Sequence, residues 1–184
     1  MNKVLGNKKA ISLFVVPALI IYTIIVMVPV IWSLYYSFFS GSPGLQWEFA
    51  GFDNYARLFR DKNFLNALTV NCKYVLVVTV GQVGMGLLLS LMFKFWLRCK
   101  TIVRTLVFFP VVLPTVAVGQ LFAKIYEIQP NYGLLNSLLD SLGFTNLVQP
   151  WIGQSSTALW ALCVMDIWVA MGFYSVIFYG ALLD

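Results

Sequence analysis

Asp166 sits in the stretch MDIWVAMGFYS, with no other charge from Ser141 to Met165 before it or from Ile167 to Leu183 after it. A carboxylate in the middle of a membrane span costs about 2.5–3.5 kcal/mol on insertion scales, and such groups face a bundle interior or a wet cavity. Helical spacing puts Asp166, Ala170 and Phe173 on one face. An acid that accepts from hydroxyls, a small residue and an aromatic ring that covers C–H faces together form a surface suited to a sugar. Packing is the competing use: Asp166 can instead hold a backbone group or a neighbouring helix. For Trp168 the packing role has the stronger claim.

A second constellation lies in RTLVFFPVVLPTVAVGQLFAKIYEIQPNYGLLNSLL, where Pro110 and Pro114 interrupt a charge-free run from Thr105 to Ala123. Each proline removes a backbone hydrogen bond and presses on the preceding turn. In a membrane such breaks survive where neighbouring helices, hydroxyls or water satisfy the freed carbonyls. Val111, Thr115 and Phe122, at helical offsets of four and seven, share a face, with Gln120 nearby. The break either shapes packing or opens a path beside the helix.

The elements that must carry these residues follow from hydropathy. Hydrophobic residues make up 60% of the 184-residue chain and charged residues 10%, against roughly 45–50% and about 25% in a soluble domain. Bilayer hydrocarbon about 30 Å thick needs roughly 20 helical residues. The charge-free runs therefore predict an all-α, polytopic membrane protein with a single transmembrane domain and four spans, about 11–38, 66–93, 103–123 and 156–183. A β-barrel would alternate polar and apolar residues, and these runs do not. The first apolar stretch is too long for a signal-peptide core, so it reads as an uncleaved anchor.

Basic residues set the orientation. Lys3, Lys8 and Lys9 precede the first span, and Lys94, Arg98, Lys100 and Arg104 lie between the second and third with no acid among them. The positive-inside rule places the N-terminus, the 94–102 loop and the end at Asp184 in the cytoplasm, with outer loops at 39–65 and 124–155. Topology accounts for the net charge of +5, so nucleic acid is not needed as a partner. Cys72, Cys99 and Cys163 are scattered and form no disulfide framework. The absence of histidine removes His-based metal sites and general bases. With no clustered intramembrane carboxylates and no Asp-rich motif, an enzyme is disfavoured and neither a metal nor a catalytic residue is expected.

The outer loops carry their own helical signals. After Gly and Pro turn residues, DNYARLF spaces Tyr55, Leu58 and Phe59 for a short interfacial helix with Asp53 as its cap. In NYGLLNSLLDSLGF, the residues Leu134, Leu135, Leu138, Leu139 and Leu142 fall on one face, with Gly143 as the stop. That helix would cap the outer mouth of the bundle or touch a partner.

The order of FVVPALIIYTIIVMVPVIWSLYYSF, GFDNYARLF, FLNALTVN, RTLVFFPVVLPTVA, NYGLLNSLL and WIGQSSTALWALCVMDIW resembles the permease subunit of bacterial binding-protein-dependent ABC importers for carbohydrates, the maltose-type group, from about Leu13 to Asp184. The resemblance implies an inner-membrane subunit paired with a second permease and driven by an ATPase dimer that holds ATP and Mg. It also implies an extracytoplasmic solute-binding protein that delivers an oligosaccharide, and no cofactor on this chain. Carried onto matching positions, the implied substrate contacts are Val111 and Thr115 after the prolines, then Val169, Ala170 and Phe173 after Trp168; the residue reading adds Asp166. Val111 stands where the maltose permease has an aromatic, and Asp166 where it has a neutral amide, which bears on the sugar. The family pattern continues past the FYGALLD stretch with a Glu-Ala-Ala…Gly loop that docks on the ATPase and two further spans. Four of six helices are therefore expected here, with transport by the intact protein and not by these residues alone. Related permeases for glycerol phosphate or a polyamine, or a non-transporting scaffold, are the alternatives.

Overall fold

The computed structural model describes residues 8–42, 45–96, 100–128 and 130–183. Lys3, Pro43, Arg98, Cys99 and Asp184, used above for topology and turns, lie outside the described residues. The chain divides into two compact units, Met1–Asn66 and Ala67–Asp184.

The first unit is built on one long apolar helix. Helix α1 (Lys8–Tyr22) passes through a π-helical turn, Thr23–Met27, into α2 (Val28–Tyr36). Pro29 explains the turn: it has no N–H to donate, and the Val28 N–H bonds five residues back, to the Thr23 carbonyl. No side chain in the most apolar window of this helix is buried, so its surface belongs to lipid or another chain. A hairpin follows, β1 (Phe39–Ser42) antiparallel to β2 (Leu45–Phe49), where sequence reasoning had a loop with turn signals. Its register changes between Ser40 and Ser42, at Gly41 with φ +96°, the extra residue of a bulge. Rings hold it: Phe39 packs on Trp47 at 5.0 Å and on Phe49 at 5.4 Å.

The expected interfacial helix is present as α3 (Asp53–Leu58), but Asp53 is its first residue, not its cap, and no side chain caps it. Asn54 positions the helix instead, donating to the Ser37 and Phe39 carbonyls at 2.9 Å each. Helix α4 (Lys62–Phe95) begins four residues before the expected span because Asp61 accepts the Asn63 N–H at 2.8 Å, an N-terminal cap. Its 34 residues make a rod of about 51 Å, long enough to leave the hydrocarbon.

In the second unit, α5 (Lys100–Phe108) leads into a 3-10 turn, Phe109–Val112, and then α6 (Thr115–Ile125). Leu113 is extended at ψ 138°, as a residue before proline prefers, and the two halves diverge by 101°. Helix α7 (Leu134–Ser141) ends near Gly143, whose φ is +80°, as the sequence required. Its buried side chain is Asn136. Leu135 packs on the core, while Leu134, Leu138 and Leu142 are exposed, so the five leucines do not act as one covered face. Helix α8 (Ser155–Leu183) closes the described chain. Three helices are long and apolar enough to cross a membrane, and the bent pair makes a fourth if it is one span.

Candidate functional site at the open face of helix 8

Helix α8 is the spine of the second unit. Against α4 it packs closely enough that a Cβ on Gly81 would stand 2.3 Å from Ile167 Cδ1, and one on Gly86 2.6 Å from Tyr174 Cβ. Phe93 and Tyr179 meet edge to face at 6.1 Å, and Lys94 Nζ donates to the Leu182 carbonyl at 2.6 Å, closing the C-terminal end of α8. Against the broken helix, a Cβ on Gly172 would fall 2.1 Å from the Val107 carbonyl oxygen. Only glycine allows that approach. Towards α6, Trp168 meets Phe122 edge to face at 5.4 Å beside Val118, Tyr126 and Ala161.

These contacts occupy two sides of α8 and leave a third open. At about 100° per residue, Leu162, Phe173 and Ile177 form a contiguous stripe, and all three are exposed. Asp166 falls between Phe173 and Ile177 in angle and Val169 at the edge, both half-buried.

The Asp166 carboxylate accepts a hydrogen bond from the Tyr74 phenol of α4, and Gln82 Nε2 donates to the Asp166 backbone carbonyl at 3.2 Å. One carboxylate oxygen is thus engaged across the helix pair, and a carboxylate has lone pairs beyond one bond. Phe173 lies seven residues on, about 10 Å along the axis, with its ring edge to face on Tyr174 at 5.7 Å. An acceptor and an apolar ring on one helix can together meet a ligand that carries both hydroxyls and C–H faces.

The six nominated residues divide. Val169 packs on the core around Val118 and Phe122, Ala170 is half-buried, and Phe173 is exposed on the open stripe, with Asp166 half-buried on the same side. Val111 is half-buried in the 3-10 turn, while Thr115 is exposed at the first residue of α6. The bend between them separates Val111 from Thr115, so the continuous face of Val111, Thr115 and Phe122 expected of an unbroken helix does not exist. Phe122 is buried in the core instead. Sequence reasoning missed Tyr74 and Gln82, the residues that hold Asp166; the signal was present as polar side chains in the apolar run of α4. Among the described residues no group of three or more His, Cys, Asp or Glu is placed to hold a metal.

Comparison with known proteins agrees with this architecture. No family model matches the chain. It is 34% identical over 175 residues to the probable ABC transporter permease protein YurN of Bacillus subtilis (strain 168), covering 94% of this chain and 59% of that protein. It is 32% identical over 181 residues to the sulfoquinovosyl glycerol transport system permease protein SmoG of Agrobacterium fabrum (strain C58 / ATCC 33970), covering 97% of this chain and 57% of the relative. The chain thus spans less than two-thirds of the length of these relatives. In fold it is similar to a chain of a bacterial ABC transporter that imports the acidic polysaccharide alginate, with a TM-score of 0.77, 22% identity, and coverage of 95% of this chain and 57% of that one. In sequence the chain is similar to ABC transporter permease proteins, and in fold to a chain of such a transporter.

Proposed function

We propose that these residues form part of the permease subunit of an ATP-driven carbohydrate importer, with the open stripe of α8 and the broken helix lining one half of the path. The observation that carries the reading is the Asp166 carboxylate on the side of α8 that carries the exposed apolar stripe with Phe173. Kinship with a permease named for a sugar glycoside supports it. In this reading Val111, Thr115, Val169 and Ala170 shape the path, and Asp166 and Phe173 contact the sugar.

The bent pair counts as one crossing of four, in a bacterial inner membrane, with the N-terminus in the cytoplasm. The partners are a second permease, an ATPase pair that holds ATP and Mg, and an extracytoplasmic sugar-binding protein. The chain itself carries out no chemical step and takes no cofactor.

The test is uptake of labelled oligosaccharides by cells that express the gene product with its partner subunits. Asp166→Asn and Phe173→Ala should each raise the uptake KM about tenfold, the loss of one charge-assisted bond or one ring contact. Uptake of a polyamine in place of any sugar would overturn the proposal.

A further inference from the structure

A cavity of about 460 Å³ lies beside α5 and the 3-10 turn, lined by Thr101, Arg104, Thr105, Phe108, Phe109, Val112 and, from α8, Val176. Arg104 lies one turn inside the start of α5, with its guanidinium over the Tyr179 ring at 4.7 Å. Among the described residues, Arg104 Nε is the buried side-chain nitrogen or oxygen that lacks a hydrogen-bond partner. A buried donor without an acceptor costs about 1–3 kcal/mol, more when charged, so a native structure supplies the acceptor from beyond the described residues.

The rest of the lining says what kind of molecule brings it. Phe109 and Val112 are exposed apolar walls, and two threonine hydroxyls flank the arginine. Lys94, Arg98, Lys100 and Arg104 fall within eleven positions without an acid, a field that concentrates anions at a membrane surface. A small soluble anion would fit the arginine and leave the apolar wall wet. An anionic amphiphile satisfies both.

We propose that this cavity is a binding site for an anionic phospholipid: its phosphate accepts from Arg104 Nε, with Thr101 and Thr105 beside it, and its acyl chain lies along Phe108, Phe109 and Val112. The proposal holds whether or not the path carries a sugar.

Native mass spectrometry of the purified protein with phosphatidylglycerol or phosphatidylcholine tests this. Phosphatidylglycerol should bind at least tenfold more tightly than phosphatidylcholine. Arg104→Gln should abolish that preference. Val112→Trp, at an exposed position where a larger side chain is tolerated, should fill the cavity and weaken phosphatidylglycerol about tenfold with Arg104 intact. Lys73→Gln, a cation outside the cavity, should change nothing. Equal binding of the two lipids, wild-type preference in both cavity variants, or displacement of the lipid by an equal concentration of inorganic phosphate would each overturn the proposal.

Discussion

At the residue scale, the packing of Asp166 and its proposed contact with the sugar separate by substitution. Its bond from Tyr74 joins side chains 92 positions apart, and an amide oxygen can accept from the phenol as the carboxylate does. Asp166→Asn should therefore leave thermal unfolding in detergent within about 1 kcal/mol of the parent, while uptake, on the proposed function, loses a charged acceptor. Tyr74→Phe leaves the carboxylate without that donor and should cost about 1–3 kcal/mol. If the asparagine variant destabilised as much as the phenylalanine one and left uptake unchanged, Asp166 would be a packing residue only. Sequence reasoning found Asp166 because one charge in an apolar run is visible without any structure. Its partner was not visible, because a tyrosine in a span has many possible neighbours and composition does not rank them.

At the scale of elements, close approach and internal satisfaction hold the second unit together. Gly172 lets α8 touch the backbone of α5, so Gly172→Val should cost about 1–3 kcal/mol through overpacking. Gly180→Ala, where nothing lies within 4 Å of the new Cβ, should be neutral or slightly stabilising. Unfolding midpoints of the two variants in one detergent would check the contrast. Asn136 is the other fixed point. It donates to the Glu127 and Gln149 carbonyls at 3.1 Å each and accepts from Trp151 Nε1 at 2.8 Å. Asn136→Leu strands these groups and should cost about 3 kcal/mol or more, read as faster proteolysis of residues 127–151. The leucine spacing announced α7 and Gly143 its end. The residue that anchors α7 was overlooked because an asparagine among leucines reads as part of the polar face until the loop is seen to fold over it.

At the scale of the whole molecule, the basic residues before the first helix and around positions 94–104 predict which side faces the cytoplasm. In a Cys72→Ser background, with Cys163 buried, an impermeant maleimide should label Ser137→Cys in intact cells. Cys99 should react only after the membrane is opened. The reverse pattern would invert the topology. The exposed apolar surface of α1 and α2 fits lipid or another chain.

The sequence by itself determined the solvent, the class of element and the positions of the breaks. Hydropathy, charge asymmetry and the missing N–H of proline act locally and need no partner to be read. The tertiary structure decided the size of the bend at Pro114, the hairpin at Phe39–Phe49, the open side of α8, and the pairing of Asp166 with Tyr74. Helix α8 is apolar nearly all round, so its periodicity cannot say which face is covered. That choice belongs to Gly81, Gly86 and Gly172, which let two neighbours come close and leave the third side free.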